Sequence, residues 1–332
     1  MSGLPRVVVT DYVVEPLDHE RSVLDGAAEV VALDARSQEE LRAGVADADA
    51  LMIYHFLKLD AETIASLKHC RVVVRPGVGY DNVDLAAAKT RGIPVCNVPD
   101  YGTEEVADSA VGMAVSLARG SHFLNSRLRR DPGAAWSVEL AGSVPRLRGR
   151  TFGIVGLGRI GSAAALRAKA FGFDVHFHDP YVPDGLDKAL GIRRADSLAE
   201  LLERSHVLSV HCPLTDETRD LIGAGEIGRL PQGAVLVNTA RGGIVRMLAV
   251  IQALEDGHLS GAGIDVLEKE PPAEDDAVVS AWRDPRHPAH DRLLLNPHAA
   301  FFCNEGEAEF RTKGASEVLR ALRGEPLRNR VA

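Results

Sequence analysis

The sequence predicts an α/β protein built from doubly wound parallel sheets in two units, and three observations carry that prediction. Short apolar runs alternate with helical stretches along most of the 332 residues. That length exceeds what one ordinary core fills. One stretch, residues 151–179, reads TFGIVGLGRIGSAAALRAKAFGFDVHFHD and joins strand, glycine turn, helix and second strand in a single unit.

Composition bounds the function. Apolar residues make up 45% and charged ones 26%, the balance of a packed globular chain. A net charge of −9 argues against nucleic acid or an anionic membrane as partner. Cys70, Cys96, Cys212 and Cys303 show no C-x-x-C spacing, which favours a reduced, cytoplasmic setting. No basic-then-apolar leader and no apolar run of about 18 residues occurs, so no membrane segment is expected.

The elements follow in order. Residues 6–10, 29–33, 50–53 and 71–75 read as buried strands. Ser37, with Glu40 three residues on, caps a helix reaching residue 46. A short helix follows Asp60. This alternation predicts a parallel sheet in the first hundred residues without a dinucleotide fingerprint, hence a separate unit. After the fourth strand comes the turn Arg75-Pro76-Gly77-Val78-Gly79, whose amides beside Arg75 suit a small carboxylate. A plain tight turn with Arg75 on the surface stays equally open. Residues 99–102 read as a hinge. Residues 103–130 read as one long helix, suited to a contact between units or subunits, and residues 131–150 as a loop.

Beyond Asp179, strands are expected at 207–211, 234–238 and 293–295, and helices open at Ser197 and Met247. Residues 275–291 read as polar loop, and residues 304–323 as a final helix returning to the first unit.

In the central stretch, Gly156 permits the sharp turn, Gly158 lets a pyrophosphate approach, and Gly161 lets helix lie on strand. The helix N-terminus offers unpaired N–H groups and a positive dipole end for phosphates. Asp179, about 20 residues on, would accept the adenosine ribose hydroxyls. A ribose phosphate carrying about two charges at roughly 5 Å from it would be repelled by on the order of 6 kcal/mol before screening. Pro180 and Tyr181 place no cation beside it. NAD (as NADH in reduction) is therefore the expected cofactor, and no metal is expected. His287 and His290 with Asp284 and Asp291 suggest a metal set only weakly, because Pro288 breaks helical spacing.

Arg241, Glu270 and His298 follow strand ends in the second half, where a doubly wound sheet binds its ligand. Reduction of a 2-oxo acid needs a cation for the carboxylate, a proton donor and a group that orients the donor. Arg241 offers the fork, His298 the suitable pKa, and Glu270 would raise that pKa and hold the tautomer. By spacing alone each reads first as a surface charge or a satisfied loop histidine.

The ordered strings GLGRIG…HDPY, HCPLTDETR, NTARGG, GAGIDVLEKEPP and NPHAAF resemble the D-isomer-specific 2-hydroxyacid dehydrogenase family across essentially the whole chain. Tyr54-His55, RPGVGYDN and HDPYVPDG are most similar to its C-terminal-binding-protein branch. The resemblance implies a flavodoxin-like substrate domain (residues 1–102 and 298–332) and an NAD-binding Rossmann domain (residues 103–297), with the active site in the cleft. It also implies a homodimer through the NAD-binding domains. Carried over by position, Arg241, Glu270 and His298 are the catalytic set. Arg159 and Ile160 join the three glycines at the pyrophosphate. Cys212, Pro213 and Thr218 line the adenosine side, and Thr239, Ala240 and Asp265 the nicotinamide. Arg75, Gly77, Val78 and Gly79 hold the substrate carboxylate, with Tyr54 and Phe301 in the side-chain pocket. The branch often has Trp where Phe301 stands, so its substrate preference does not transfer.

The expected function is NAD-dependent interconversion of a 2-oxo acid and its D-2-hydroxy acid. The rivals are an NAD(H)-sensing binding protein, which would need the pocket but not the acid–base pair, and a related dehydrogenase of the phosphite, hydroxypyruvate or glyoxylate type.

Overall fold

The structure, a computed structural model, describes residues 3–133 and 136–332. Ala134 and Ala135, in the loop expected over 131–150, lie outside the described residues, as do Met1 and Ser2. The chain divides into two compact units, residues 1–102 with 302–332, and residues 103–301. Residues 298–301, expected with the first unit, fall in the second, because the His298 amide donates to the Asp265 carbonyl at 2.8 Å.

The first unit holds five strands: β1 (Arg6–Val9), β2 (Glu29–Ala32), β3 (Ala50–Met52), β4 (Val72–Arg75) and β5 (Val95–Asn97). All pair in parallel in the order β2-β1-β3-β4-β5. Their side chains are apolar without alternation because helices cover both faces. Val8, Leu51, Val73 and Val95 pack with Leu41, Val45 and Ile64 on one side. On the other, the helix Asn304–Arg323 packs on β3 and β4. That helix also docks on Asp18–Leu24, where the Arg311 guanidinium donates to both Glu20 oxygens at 2.7 Å. Glu20 is fully buried, so its charge depends on that fork.

The second unit holds β6 (Thr151–Val155), β7 (Asp174–His178), β8 (Arg193–Arg194), β9 (Val207–Val210), β10 (Ala234–Asn238), β11 (Leu259–Ile264) and β12 (Leu293–Leu295). The order is β12-β11-β10-β9-β6-β7-β8, again all parallel. The two sheets therefore have the flavodoxin-like and dinucleotide-binding orders.

Three expectations change. The stretch 103–130 is two helices, Thr103–Arg119 and Ser121–Arg130, parted at Gly120 with φ +67°. The first is core: Ala110, Met113, Ala114 and Leu117 are buried, and a Cβ on Gly261 or Gly263 of β11 would meet Leu117 at 2.9 Å or Met113 at 3.0 Å. One face of this helix is thus packed on the sheet of its own unit. Second, residues 275–291 hold the helices Ala277–Arg283 and Ala289–Arg292; the Asp276 cap on Val278 and Val279 was hidden among polar neighbours. Third, the strand Val95–Asn97 and the helices Asp18–Leu24 and Leu85–Thr90 escape the sequence pattern because they are too short to show a period. Among the described residues no helix is long and apolar enough to cross a membrane.

Candidate active site

The glycine turn between β6 and the helix Arg159–Ala170 is shaped by close backbone packing. Gly156 has φ +91°, and a Cβ there would lie 2.6 Å from the Cys212 amide nitrogen. A Cβ on Gly161 would lie 2.2 Å from the Gly156 carbonyl oxygen. Only glycine fits either place. Gly158 differs: nothing lies within 4 Å of its added Cβ, leaving open space beside the first amides of the helix that Arg159 and Ile160 begin. An anionic diphosphate fits that opening.

Asp179 ends β7 and its carboxylate accepts from the Leu157 amide at 2.8 Å and the Tyr181 amide at 2.9 Å. It therefore braces the glycine turn. The expectation of no nearby cation needs correcting. Arg194, from β8, donates to the carbonyls of Asp179, Val182 and Pro183 at 3.0–3.2 Å. Its guanidinium is spent on the main chain behind the loop. After β9, Cys212 is buried, which pushes its thiol up to about 11. The Thr218 hydroxyl is engaged in its own turn, accepting from the Thr215 amide and donating to the Pro213 carbonyl at 2.6 Å. At the end of β10, Thr239 has a buried hydroxyl with no partner, a group that a bound cofactor would satisfy. These features fit a dinucleotide.

The remaining strand ends build the reactive side. Asn238, fully buried at the end of β10, receives the Ala240 amide at 3.0 Å and donates to the Arg241 carbonyl at 2.9 Å. That pair shapes the turn carrying Arg241, whose Nη1 donates to the Ala240 carbonyl at 2.7 Å. Gly242 then packs against the peptide between Leu267 and Glu268; a Cβ there would lie 2.0 Å from the Leu267 carbonyl carbon. The arginine turn is thereby keyed to the loop after β11 that carries Glu270.

Glu270 accepts from the Leu267 amide at 2.7 Å through Oε1 and holds His298 Nδ1 at 2.6 Å through Oε2. Both side chains are partly shielded, His298 being 23% exposed and Glu270 31%. His298 has φ +53°, a conformation costly for a non-glycine residue, and Asp265 holds it there. The Asp265 main-chain oxygen takes the His298 amide, and its side chain takes the Ala299 and Ala300 amides at 2.9–3.1 Å. Burial raises the Asp265 carboxyl against the lowering by those two amides. Phe301 lies edge-on to the His298 ring at 6.1 Å between centroids.

In the first unit, Arg75 is 7% exposed, which removes the reading of a surface side chain. Its guanidinium lies where a Cβ on Gly77 would collide at 1.3 Å. The Val98 amide donates to the Gly77 carbonyl and Asn97 to the Val78 carbonyl. Tyr54 departs from its expected place in a side-chain pocket. It is 1% exposed, with its hydroxyl 3.5 Å from Glu20 and its ring against Phe310.

Among the described residues no set of three or more His, Cys, Asp and Glu side chains is arranged for a metal. His287 instead bonds Glu255 at 2.6 Å. The sequence reading assigned no role to Asn238, Gly242 or Arg194. The first two stand in the quoted string NTARGG, but nothing in the string tells that an asparagine at a strand end turns inward.

A sequence model described as "D-isomer specific 2-hydroxyacid dehydrogenase, NAD binding domain" matches residues 111–300, more than half the chain. D-3-phosphoglycerate dehydrogenase of Methanocaldococcus jannaschii is 32% identical over 98% of this chain and 59% of its own length. C-terminal-binding protein 1 of Caenorhabditis elegans is 35% identical over 92% of this chain and 42% of its own length. The chain thus spans less than two thirds of these two curated relatives. Among solved structures, D-lactate dehydrogenase of Aquifex aeolicus, complexed with NAD and lactic acid, superposes with a TM-score of 0.85 at 26% identity, covering 96% of each chain. With both sheet orders, the glycine turn and the Glu270–His298 pair already in place, these matches make the chain a member of the D-isomer-specific 2-hydroxyacid dehydrogenase family.

Proposed function

We propose that the protein is an NAD-dependent dehydrogenase interconverting a 2-oxo acid and its D-2-hydroxy acid. The observation carrying this reading is the 2.6 Å contact between His298 Nδ1 and Glu270. With Nδ1 held, Nε2 is the ring atom that exchanges the proton with the substrate oxygen, a role worth about 100- to 10,000-fold in rate. Arg241, on the turn keyed to the same loop, pairs with the carboxylate and polarises the carbonyl. When bound, the reduced nicotinamide supplies the hydride. Gly156, Gly158, Arg159, Ile160 and Gly161 hold its diphosphate, Asp179 its ribose, and Thr239, Ala240 and Asp265 border its ring. Cys212, Pro213 and Thr218 shape the adenosine side. Arg75 with the turn Gly77-Val78-Gly79 is the carboxylate-binding element of the first unit.

A nucleotide sensor would require the glycine turn but not an imidazole held by a carboxylate in a strained turn, so the catalytic reading takes precedence. We assign the protein to the cytoplasm, which its four free thiols support, and to a homodimer through the second unit, which the exposed Trp136 and Val138 support. The test is NADH oxidation with a panel of 2-oxo acids from glyoxylate to branched and aryl analogues. Tight NADH binding with no oxidation by any of them would overturn the assignment.

A further inference from the structure

His298 stands at φ +53° in a segment, residues 296–301, that belongs to no strand or helix. Such a segment keeps its place only where its main-chain groups find partners. Asp265, 2% exposed, supplies acceptors for three of its amides: its carbonyl takes His298, and its carboxylate takes Ala299 and Ala300. The Asp265 amide in turn bonds the Asn238 carbonyl at 3.0 Å, so this grip is rooted in the ends of β10 and β11. It takes donors only.

The acceptor side is held from elsewhere. Ala300 is 3% exposed, and its carbonyl receives the Ser109 hydroxyl at 3.1 Å. Ser109 lies in the helix Thr103–Arg119, 191 residues away in sequence. A serine inside a helix commonly turns its hydroxyl back to the carbonyl one turn earlier; this one reaches out of its helix. Around it the same helix uses alanine where packing alone is asked, since Ala107, Ala110 and Ala114 are buried. Alanine is also the better helix former. A serine among them weakens the helix slightly and gives the histidine segment a donor.

The helix is a firm base for that bond. Its Met113 and Leu117 pack on Gly263 and Gly261 of β11, and Asp108, next to Ser109, pairs with Arg167 of the helix that begins at the glycine turn. The place of the hydroxyl is therefore set by the sheet and by the glycine-turn helix together. Backbone strain persists only where the surroundings over-determine it. Two grips, one on the amides and one on the carbonyl, oppose relaxation of the His298 backbone and keep its ring at the 2.6 Å contact with Glu270. Removing the hydroxyl leaves a buried carbonyl without that donor and releases one of the two.

We propose that Ser109 is a positioning residue for His298: by donating to the Ala300 carbonyl it fixes the segment that presents the imidazole to the substrate. Its effect on turnover rests on the dehydrogenase reading above; its effect on the segment does not. Ser109→Ala tests both, since alanine leaves the helix at least as stable. A neutral hydrogen bond is worth roughly two- to twelvefold in an equilibrium. Amide hydrogen exchange at residues 298–301, read by mass spectrometry, should therefore quicken about fivefold, while residues 103–119 exchange at the parent rate. With the best of the 2-oxo acids, kcat should fall about fivefold and KM for NADH should stay within about twofold. Ser109→Thr, which keeps the hydroxyl, should bring exchange and kcat back to within about twofold of the parent. Exchange at residues 298–301 that is unchanged, or that quickens equally in residues 103–119, overturns the proposal, as does a threonine variant no better than the alanine one. Quicker exchange with undiminished kcat overturns it too, because the histidine then needs no such support. A parent that turns over no 2-oxo acid sinks the dehydrogenase reading, and the exchange pattern alone then decides whether Ser109 holds the segment.

Discussion

The two sheets share one architecture but build their ligand-facing ends by opposite means. In the second unit the site is made by missing side chains: Gly156, Gly161 and Gly242 bring main chain within 2.0–2.6 Å of where a Cβ would stand. In the first unit the strand-end turns are held by polar side chains: the buried Asp11 and Asn97 and the half-buried Asn82 bond main-chain groups there. A glycine motif must appear in the sequence as itself. A buried aspartate looks like any other aspartate. That difference explains why the turns of the second unit are legible in the sequence and those of the first are not.

The largest test falls on the second unit. His298→Ala should lower kcat by about 100- to 10,000-fold while NADH affinity, read by fluorescence titration, holds. Undiminished turnover would show that the glycine-built half does not carry the chemistry. The side-chain-built half is tested by Glu20→Ala, which leaves Arg311 buried without its fork. It should cost about 3–5 kcal/mol in urea unfolding, and a loss below about 1 kcal/mol would show that this ion pair adds little to the first unit.

His211 combines the two modes: its carbonyl carbon lies 2.9 Å from where a Cβ on Gly156 would stand, while its ring bonds the buried Ser209 hydroxyl at 2.9 Å. Burial lowers its pKa from the ordinary value to about 4, so the folded protein resists a proton that the unfolded chain accepts. Its contribution is present in full above about pH 6.5 and is lost as pH falls towards 4, by up to ~3 kcal/mol. His211→Gln should flatten the unfolding midpoint across that window, and an unchanged slope would remove the assignment. Gly242→Ala should cost about 1–3 kcal/mol by overpacking against Leu267 and Glu268, together with much of the turnover. Retained stability would mean that the contact gives way. The smallest effect belongs to Asp179→Ala, which should raise the NADPH-to-NADH ratio of kcat/KM about tenfold. An unaltered ratio would leave Asp179 only its brace on Leu157 and Tyr181.

Legibility follows the same divide in the fold. Strands such as Val72–Arg75 and Ala234–Asn238 are apolar up to their last residue, and sheets covered on both faces require that pattern. Ser37 and Ser197 act as the caps their spacing announces, each accepting the amide three residues on at 3.2 Å. The break at Gly120 was less visible because a lone glycine is tolerated within a helix. Its left-handed φ and the Phe123 ring that a Cβ would meet at 2.5 Å decide the matter only in three dimensions.

The sequence by itself determined the alternation of strand and helix, the glycine turn and the family, because hydrophobic period and absent side chains are local properties. Only the tertiary structure decided that Tyr54 faces inward, that Asp11 bonds the Tyr54 and Phe56 amides and that Asp265 holds His298 at positive φ. Those outcomes depend on which buried donor finds which acceptor across long stretches of chain, and no local pattern records that pairing.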